Sequence, residues 1–341
     1  MKPQERLLVH HINRALTRIM GEDERVLMIG EDLLDPYGGA FKVTKGLSTQ
    51  FPQRVHTTPI SEAAIVGVAT GAALRGMRPV CEIMFGDFLG LAFDQILNHA
   101  TKYPLMYAQE VGCPITIRTP MGGRRGYGPT HSQSLEKFFV GIPGLEVTAL
   151  HRFQPVEAFY RRAILQRDQP SLIIENKIMY GQEPLDTVAR YGDFQVRRHG
   201  QDVVDAELSL TDFAHEEVTL ITYGGMTDHC LEAARRLLLD EEIASNVLVL
   251  GRLSPVQLEA TAAACARTGR VLIAEEGTGA WGIGSEWAAQ LTDALWGKLK
   301  APIQRVACTA PVLPNSRALE EQVLPSTDTI IQAVQTLMSR T

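Results

Sequence analysis

Cysteine is scarce. The five thiols, Cys81, Cys113, Cys230, Cys265 and Cys308, are scattered, odd in number and contain no CxxC pair. That pattern argues against a disulfide framework or a cysteine-ligated zinc, and for reduced side chains in a cytoplasmic setting. Positive charge is also short. The 33 Lys and Arg against 39 Asp and Glu leave a formal net charge of −6, the wrong sign for holding nucleic-acid phosphates. No apolar run approaches the roughly 20 residues of a membrane helix. The opening MKPQERLLVHHINRAL lacks a signal peptide's apolar stretch and small-residue cleavage site. Neither nucleic acid nor a membrane is therefore an expected partner.

What is present is an ordinary globular composition, 45% hydrophobic and 21% charged. A chain of 341 residues divides into two domains of usual size and buries a full core without cross-links. Leu8, Ile12 and Leu16 recur every four positions and open an amphipathic helix. β-rich runs at 26–29, 80–83, 115–117, 145–150 and 172–174 alternate with helical patterns at 62–75, 88–103, 135–139 and 155–166. The alternation predicts a parallel sheet with helices on both faces, an α/β domain over 1–180. The polar, aperiodic stretch 181–217 reads as a linker. A second α/β domain is expected over 218–341. Its strands fall at 218–222, 247–250 and 271–274, its helices at 228–239, 255–268 and 285–296. A plan of this kind names no reaction.

Three segments of the first domain carry candidate chemistry. In 56–76, HTTPISEAAIVGVATGAALRG, Ser61 can cap a helix whose first residue is Glu62, where the macrodipole favours a carboxylate. The following Ala and Gly residues permit close approach by a helix or ligand. Glu62 is then either a dipole-matched residue in a tight core or a placed acid. In 81–94, CEIMFGDFLGLAFD, Met84, Phe85 and Phe88 surround a strand-to-helix turn. They could pack a core or floor a pocket for a flat heterocycle. In 118–134, RTPMGGRRGYGPTHSQS, four glycines make a long mobile loop of the kind that closes over sites. His131 at its end either caps the loop or works as acid and base near neutrality.

The second domain holds a literal GxGxxG at Gly277, Gly279 and Gly282. A dinucleotide fingerprint needs an acidic residue about 20 positions later at a strand end. Here that distance falls in the helical stretch around Asp293. Glu275 and Glu276 would also face the pyrophosphate with like charge. A nicotinamide-dependent oxidoreductase is accordingly disfavoured.

Five ordered segments together resemble one family. They are GEDLLDPYGGAFKVTKGL, TPISEAAIVGVATGAALRGMRPVCEIMF, FDQILNHATKY, THSQS and PSLIIENKIMYG, followed more thinly by DHCLEAA, EEG…GIGSE and LEEQVLPS. The chain is similar to the beta subunit of the thiamine-diphosphate-dependent decarboxylases of 2-oxo acid dehydrogenases (pyruvate, branched-chain and acetoin types). That resemblance implies a transketolase-like pyrimidine-binding domain followed by a transketolase C-terminal-like α/β domain. It places Glu62 on the cofactor's aminopyrimidine ring, Phe88 against that ring with Met84 nearby, and His131 at acyl transfer onto a lipoyl group. It also implies a structural potassium ion on backbone carbonyls at Ile115, Ile164, Leu165, Arg167 and Gln169, although Arg167 stands where an acidic residue is common.

The GDG segment through which thiamine enzymes hold the diphosphate and Mg²⁺ is missing; the linker's Gly192–Asp193 pair is followed by Phe194. The resemblance therefore implies an alpha subunit carrying that motif, in a heterotetramer of two alpha and two beta chains. A lipoyl-bearing acyltransferase is the expected acceptor. A carrier-protein thiol is the alternative, because 192–204 (GDFQVRRHGQDVV) and the tail CTAPVLPN depart from the family pattern. A non-enzymatic scaffold is the third reading, opposed by the presence of both Glu62 and His131.

Overall fold

The computed structural model describes residues 6–106, 111–201 and 203–340. Helix α1 (Leu8–Glu22) buries Leu8, Ile12, Ala15, Leu16, Ile19 and Met20 along one stripe, as the four-residue period predicts. The first sheet takes β1 (Val26–Gly30), β2 (Val55–Thr57), β3 (Arg78–Glu82), β4 (Thr116–Met121), β5 (Glu146–Ala149) and β6 (Ser171–Asn176). Strands β1, β3, β4, β5 and β6 are buried along their whole length. That requires cover on both faces and explains why they read as continuous runs, not alternations. Short α2 (Leu47–Gln50), then α3 (Glu62–Leu74), α4 (Tyr103–Met106) and α5 (Val156–Arg161) lie between them.

Three stretches expected as helices are irregular, the shortest, 135–139, forming only a 3₁₀ turn at Glu136–Phe138. Residues 88–103 form a 3₁₀ segment, Gly86–Ala92, followed by a π-helical turn, Gln95–Ala100. The helix expected at 155–166 converts from α5 to a π turn at Arg162–Gln166. Such turns widen a helix locally and concentrate at functional places.

The second sheet corrects the linker. Residues 190–209 supply β7 (Arg190–Tyr191), β8 (Phe194–His199) and β9 (Asp205–Ser209), which pair antiparallel with one another and with β11. Strands β10 (Val218–Thr222), β11 (Ser245–Val249), β13 (Val271–Thr278) and β14 (Gln304–Cys308) form the parallel part, in the order β14-β13-β10-β11-β9-β8-β7. The β8 run FQVRRH carries charge because most of its residues are only half-buried. The signal for a strand was therefore weak. Between β11 and β13, β12 (Arg252–Ser254) crosses to the first sheet and pairs antiparallel with β5, giving the order β12-β5-β6-β4-β3-β1-β2. Helices α6 (Thr227–Glu241), α7 (Leu258–Thr268), α8 (Ile283–Ala294), α9 (Arg317–Val323) and α10 (Thr327–Met338) complete the second half. Among the described residues no helix is long and apolar enough to cross a membrane.

A buried ionic network underlies the first sheet's carboxyl edge. Arg118 on β4 donates to Glu82 on β3 and, through both Nε and Nη2, to Glu175 on β6, the Nε bond at 2.8 Å. Tyr160 and Tyr180 also donate to Glu175. All five groups are buried, so removing one would strand its partners without water.

Candidate active site

The candidate residues gather where the parallel strands of the first sheet end, the edge at which open α/β sheets bind ligands. Glu31 follows β1, Glu62 opens α3 after β2, and Met84, Phe85 and Phe88 follow β3. The loop ending in His131 follows β4, and Lys177 follows β6. Ser61 caps α3 by accepting from the Ala64 amide at 3.4 Å. Glu62 thus takes the first helical position, beside unpaired N–H groups that favour a carboxylate. It is buried, at 4% exposure. Glu31 lies near it: burial, then repulsion from Glu62 and Asp32, raises its carboxyl above the usual range. Among the described residues its buried Oε1 has no hydrogen-bond partner. Sequence reasoning missed Glu31, although a carboxylate directly behind the wholly apolar run Val26–Gly30 is a legible signal.

Phe85 is the hub of an aromatic cluster. Its ring centroid lies 4.7 Å from His131, 5.7 Å from Phe41, 5.9 Å from Phe88 and 6.2 Å from Tyr127, each pair edge to face. Phe88 is itself 5.1 Å from His131. Met84, Phe85 and Phe88 are half-buried, so each keeps a face free. The structure brings Phe88 and His131 together, and both rings also meet Phe85. Asp87 on the same turn accepts from Gln133 Nε2 at 3.0 Å. Burial raises its carboxyl.

The loop expected to be mobile is tied at its root. Gly122 has φ +98°, and a Cβ there would meet Asn176 Nδ2 at 2.4 Å. Gly123 N donates to Glu276 Oε1 at 2.6 Å, and Asn176 Nδ2 donates to Glu276 Oε2 at 3.0 Å. At the far end Thr130 Oγ1 lies 2.9 Å from His131 Nδ1, and Lys177 Nζ donates to the His131 carbonyl. The Lys177 ammonium also stands 5.3 Å and 5.6 Å from the centroids of Phe85 and Tyr127. Its burial lowers it to about 8. Lys177 too went unread, as a charge ending the apolar run of β6.

The carbonyls expected to hold potassium do not fit that ion. Arg78 Nη1 donates to the carbonyls of Ile164 at 3.0 Å and Arg167 at 2.8 Å, and Nη2 reaches Asp168 Oδ1 at 2.8 Å. Ile115 O accepts from the Ser171 amide at 2.9 Å. Arg167 turns its side chain to Ser171 Oγ at 3.0 Å and Glu146 at 3.3 Å. A guanidinium thus bonds two of the five proposed ligands, and among the described residues no bond gathers Leu165 and Gln169 with them. A second cation there would meet the Arg78 charge.

The glycine fingerprint also has a local explanation. Glu275 Oε2 accepts from Gly284 N at 3.2 Å at the start of α8. A Cβ on Gly282 would meet that oxygen at 2.5 Å. The helix end that would cradle a pyrophosphate is filled by the protein's own carboxyl group, which burial pushes up to about 7.

Comparison with known proteins matches two domain models to the chain. Residues 8–182 match the model of the transketolase pyrimidine-binding domain and residues 210–330 that of the transketolase C-terminal domain. The chain is 34% identical over 340 residues to the beta subunit of acetoin:2,6-dichlorophenolindophenol oxidoreductase of Cupriavidus necator, covering 96% of each. It is 35% identical over 342 residues to the 3-methyl-2-oxobutanoate dehydrogenase beta subunit of Mycobacterium tuberculosis, covering 98% of this chain and 92% of that one. The mitochondrial pyruvate dehydrogenase E1 component subunit beta-1 of Arabidopsis thaliana is 32% identical, over 94% and 86%. A solved split-gene transketolase, an inactive beta4 tetramer, superposes with a TM-score of 0.73 at 22% identity over 98% of both chains, a likeness of fold.

Proposed function

The chain belongs to the family of thiamine-dependent 2-oxo acid dehydrogenase beta subunits, and we propose that it forms one half of a site that decarboxylates a 2-oxo acid. An alpha subunit bearing the GDG segment would hold the diphosphate and its Mg²⁺. The observation that carries this reading is the pairing of buried Glu62 with Glu31, one of whose oxygens lacks a partner, on the same strand edge as the half-buried aromatics. A flat heterocycle with basic ring nitrogens fits those groups: an aromatic wall on one side and a carboxyl able to share a proton on the other. When bound, thiamine diphosphate supplies the carbon nucleophile and the electron sink.

The chain's own part is protonic and geometric. Glu62 would bond the pyrimidine nitrogen, and burial followed by repulsion from Glu62 raises the neighbouring Glu31 carboxyl. Phe88, Met84 and Phe85 orient the ring and exclude water. His131, fixed through its carbonyl by Lys177, would supply the proton to the sulfur freed as the acceptor's disulfide opens and takes up the acyl group and its two electrons. We assign a lipoyl group as that acceptor, in line with the dehydrogenase relatives, and a heterotetramer of two alpha and two beta chains. The five buried, unpaired cysteines support a cytoplasmic setting. Exposed Ile60, Val68 and Leu91, at 85%, 63% and 63% exposure around α3, support a partner chain on this face.

Purification from native cells tests the assembly. A GDG-bearing chain should accompany this one, and the complex should retain thiamine diphosphate and transfer acyl groups to a lipoyl domain. Transfer only to a carrier-protein thiol would replace the lipoyl assignment, and recovery of the chain without such a partner would defeat the reading.

A further inference from the structure

We propose that Lys177 is the positioning residue for acyl transfer, its ammonium gathering the 122–131 loop around one buried point and so setting the place of His131. The part played by His131 rests on the reading above; the hold of Lys177 on the loop does not.

Four contacts join this one residue to successive points of the loop. Its backbone N–H donates to the Met121 carbonyl at 3.0 Å, where the loop leaves β4. Its carbonyl accepts from Arg125 Nη2 at 2.9 Å. Its Nζ stands 5.6 Å from the Tyr127 centroid and donates to the His131 carbonyl at the loop's end. The backbone between can curl this tightly because Gly126 and Gly128 take φ of +70° and +83°. The second half of the chain closes the other side. Glu320 Oε2 accepts from Gly126 N at 2.8 Å, and a Cβ on Gly126 would meet Arg317 N at 3.1 Å. Among the described residues the His131 backbone has one further bond, from its N–H to the Gly128 carbonyl at 3.3 Å.

Lysine is almost never fully buried unless paired. Lys177 has no exposed surface, and among the described residues its ammonium makes no ion pair. The charged groups facing it are Asp87 from the turn after β3, Glu276 from β13, Glu320 from α9 and Arg125 from the loop. Glu276 and Glu320 are engaged by the loop amides of Gly123 and Gly126, and Asp87 by Gln133. The ammonium is therefore balanced at a distance, and by the faces of Phe85 and Tyr127. Burial lowers it to about 8 against the pull of those three carboxylates. A neutral amine still has a hydrogen to donate, but it loses the attraction of both rings and all three carboxylates. The grip on His131 should thus weaken as pH climbs through about 8.

Hydrogen exchange of residues 122–131 in the chain alone, corrected for its intrinsic pH dependence, tests the hold without turnover. In the wild type, exchange in this loop should quicken above about pH 8 while β4 and β6 stay protected. Lys177→Met removes the ammonium at nearly constant volume. It should quicken the same segment about tenfold at neutral pH, the worth of one charge-assisted hydrogen bond. Lys177→Arg, charged throughout, should show no such rise with pH. Exchange indifferent to pH and to Lys177→Met would overturn the proposal. In the purified complex, the rate of transfer to a lipoyl domain divided by the rate with a dye acceptor should fall about a hundredfold in Lys177→Met, as a displacement of about 1 Å can cause. A ratio unchanged while the loop loosens would overturn the positioning role. A wild-type complex that decarboxylates no oxo acid would defeat the thiamine reading and this role with it, while the hold on the loop is decided by exchange.

Discussion

At the scale of single residues, the account assigns separable tasks. On the proposed reading His131 acts on the acceptor side of the aromatic hub, whereas Glu62 acts on the cofactor ring. His131→Asn should therefore slow acyl transfer by roughly a hundredfold to ten-thousandfold, the usual worth of a placed proton donor or acceptor. Decarboxylation read with a dye acceptor should be largely spared. Equal loss in both assays would remove the distinction. Glu275 makes a prediction about stability. Burial raises its carboxyl from 4.5 to about 7 in the folded chain, so the native state binds the proton more tightly than the unfolded one. Its contribution is full at acid pH and is lost as pH climbs from about 4.5 to about 7, levelling above. Thermal unfolding of Glu275→Gln should show a flatter decline than wild type across that window. Parallel profiles would show that Glu275 does not titrate there.

At the scale of elements, Arg78 bonds two of the carbonyls expected to hold an ion. It ties β3 to the π turn ending at Gln166 by bonding two carbonyls and Asp168. The unfolding temperature should thus be the same in potassium and sodium salts at equal ionic strength. Arg78→Gln should cost about 1–3 kcal/mol by leaving buried carbonyls unpaired. A potassium-specific rise in stability would contradict this. Helix α3 presents Val68 outward while its opposite face packs Ile65, Val66 and Ala69. Val68→Glu should leave the chain folded and abolish recovery of its partner; undiminished recovery would move the interface elsewhere.

Legibility also varied by element. Strands buried on both faces, such as β1, β4 and β10, announce themselves as apolar runs, and Glu62 was marked by the serine before it. The edge strands β7 and β12, and β8 beside β7, are short or only partly buried, so their sequences carry charge and read as linker or loop. Glu31 and Lys177 were hidden for another reason. Each is one charge behind a strand, and its meaning comes from neighbours distant in sequence: Glu62 for one, His131 and Phe85 for the other. The Arg78 bonds to the carbonyls of residues 164 and 167 needed coordinates, because nothing local in GMRPV links them.

At the scale of the whole molecule, two seven-stranded sheets are joined around the catalytic edge. Glu276 from the second grips the loop root of the first, and β12 crosses to its rim. On the proposed reading the arrangement supplies half a site and leaves the exposed Ile60, Val68 and Leu91 beside it for a partner subunit. The most direct test is carbon dioxide release by the complex purified from native cells, with thiamine diphosphate, Mg²⁺ and a panel of 2-oxo acids, wild type beside Glu62→Ala. The account predicts cofactor-dependent release from at least one oxo acid that falls about a hundredfold or more in the mutant, with the assembly intact. Release unchanged by Glu62→Ala, or none from any oxo acid in an intact wild-type complex, would contradict it.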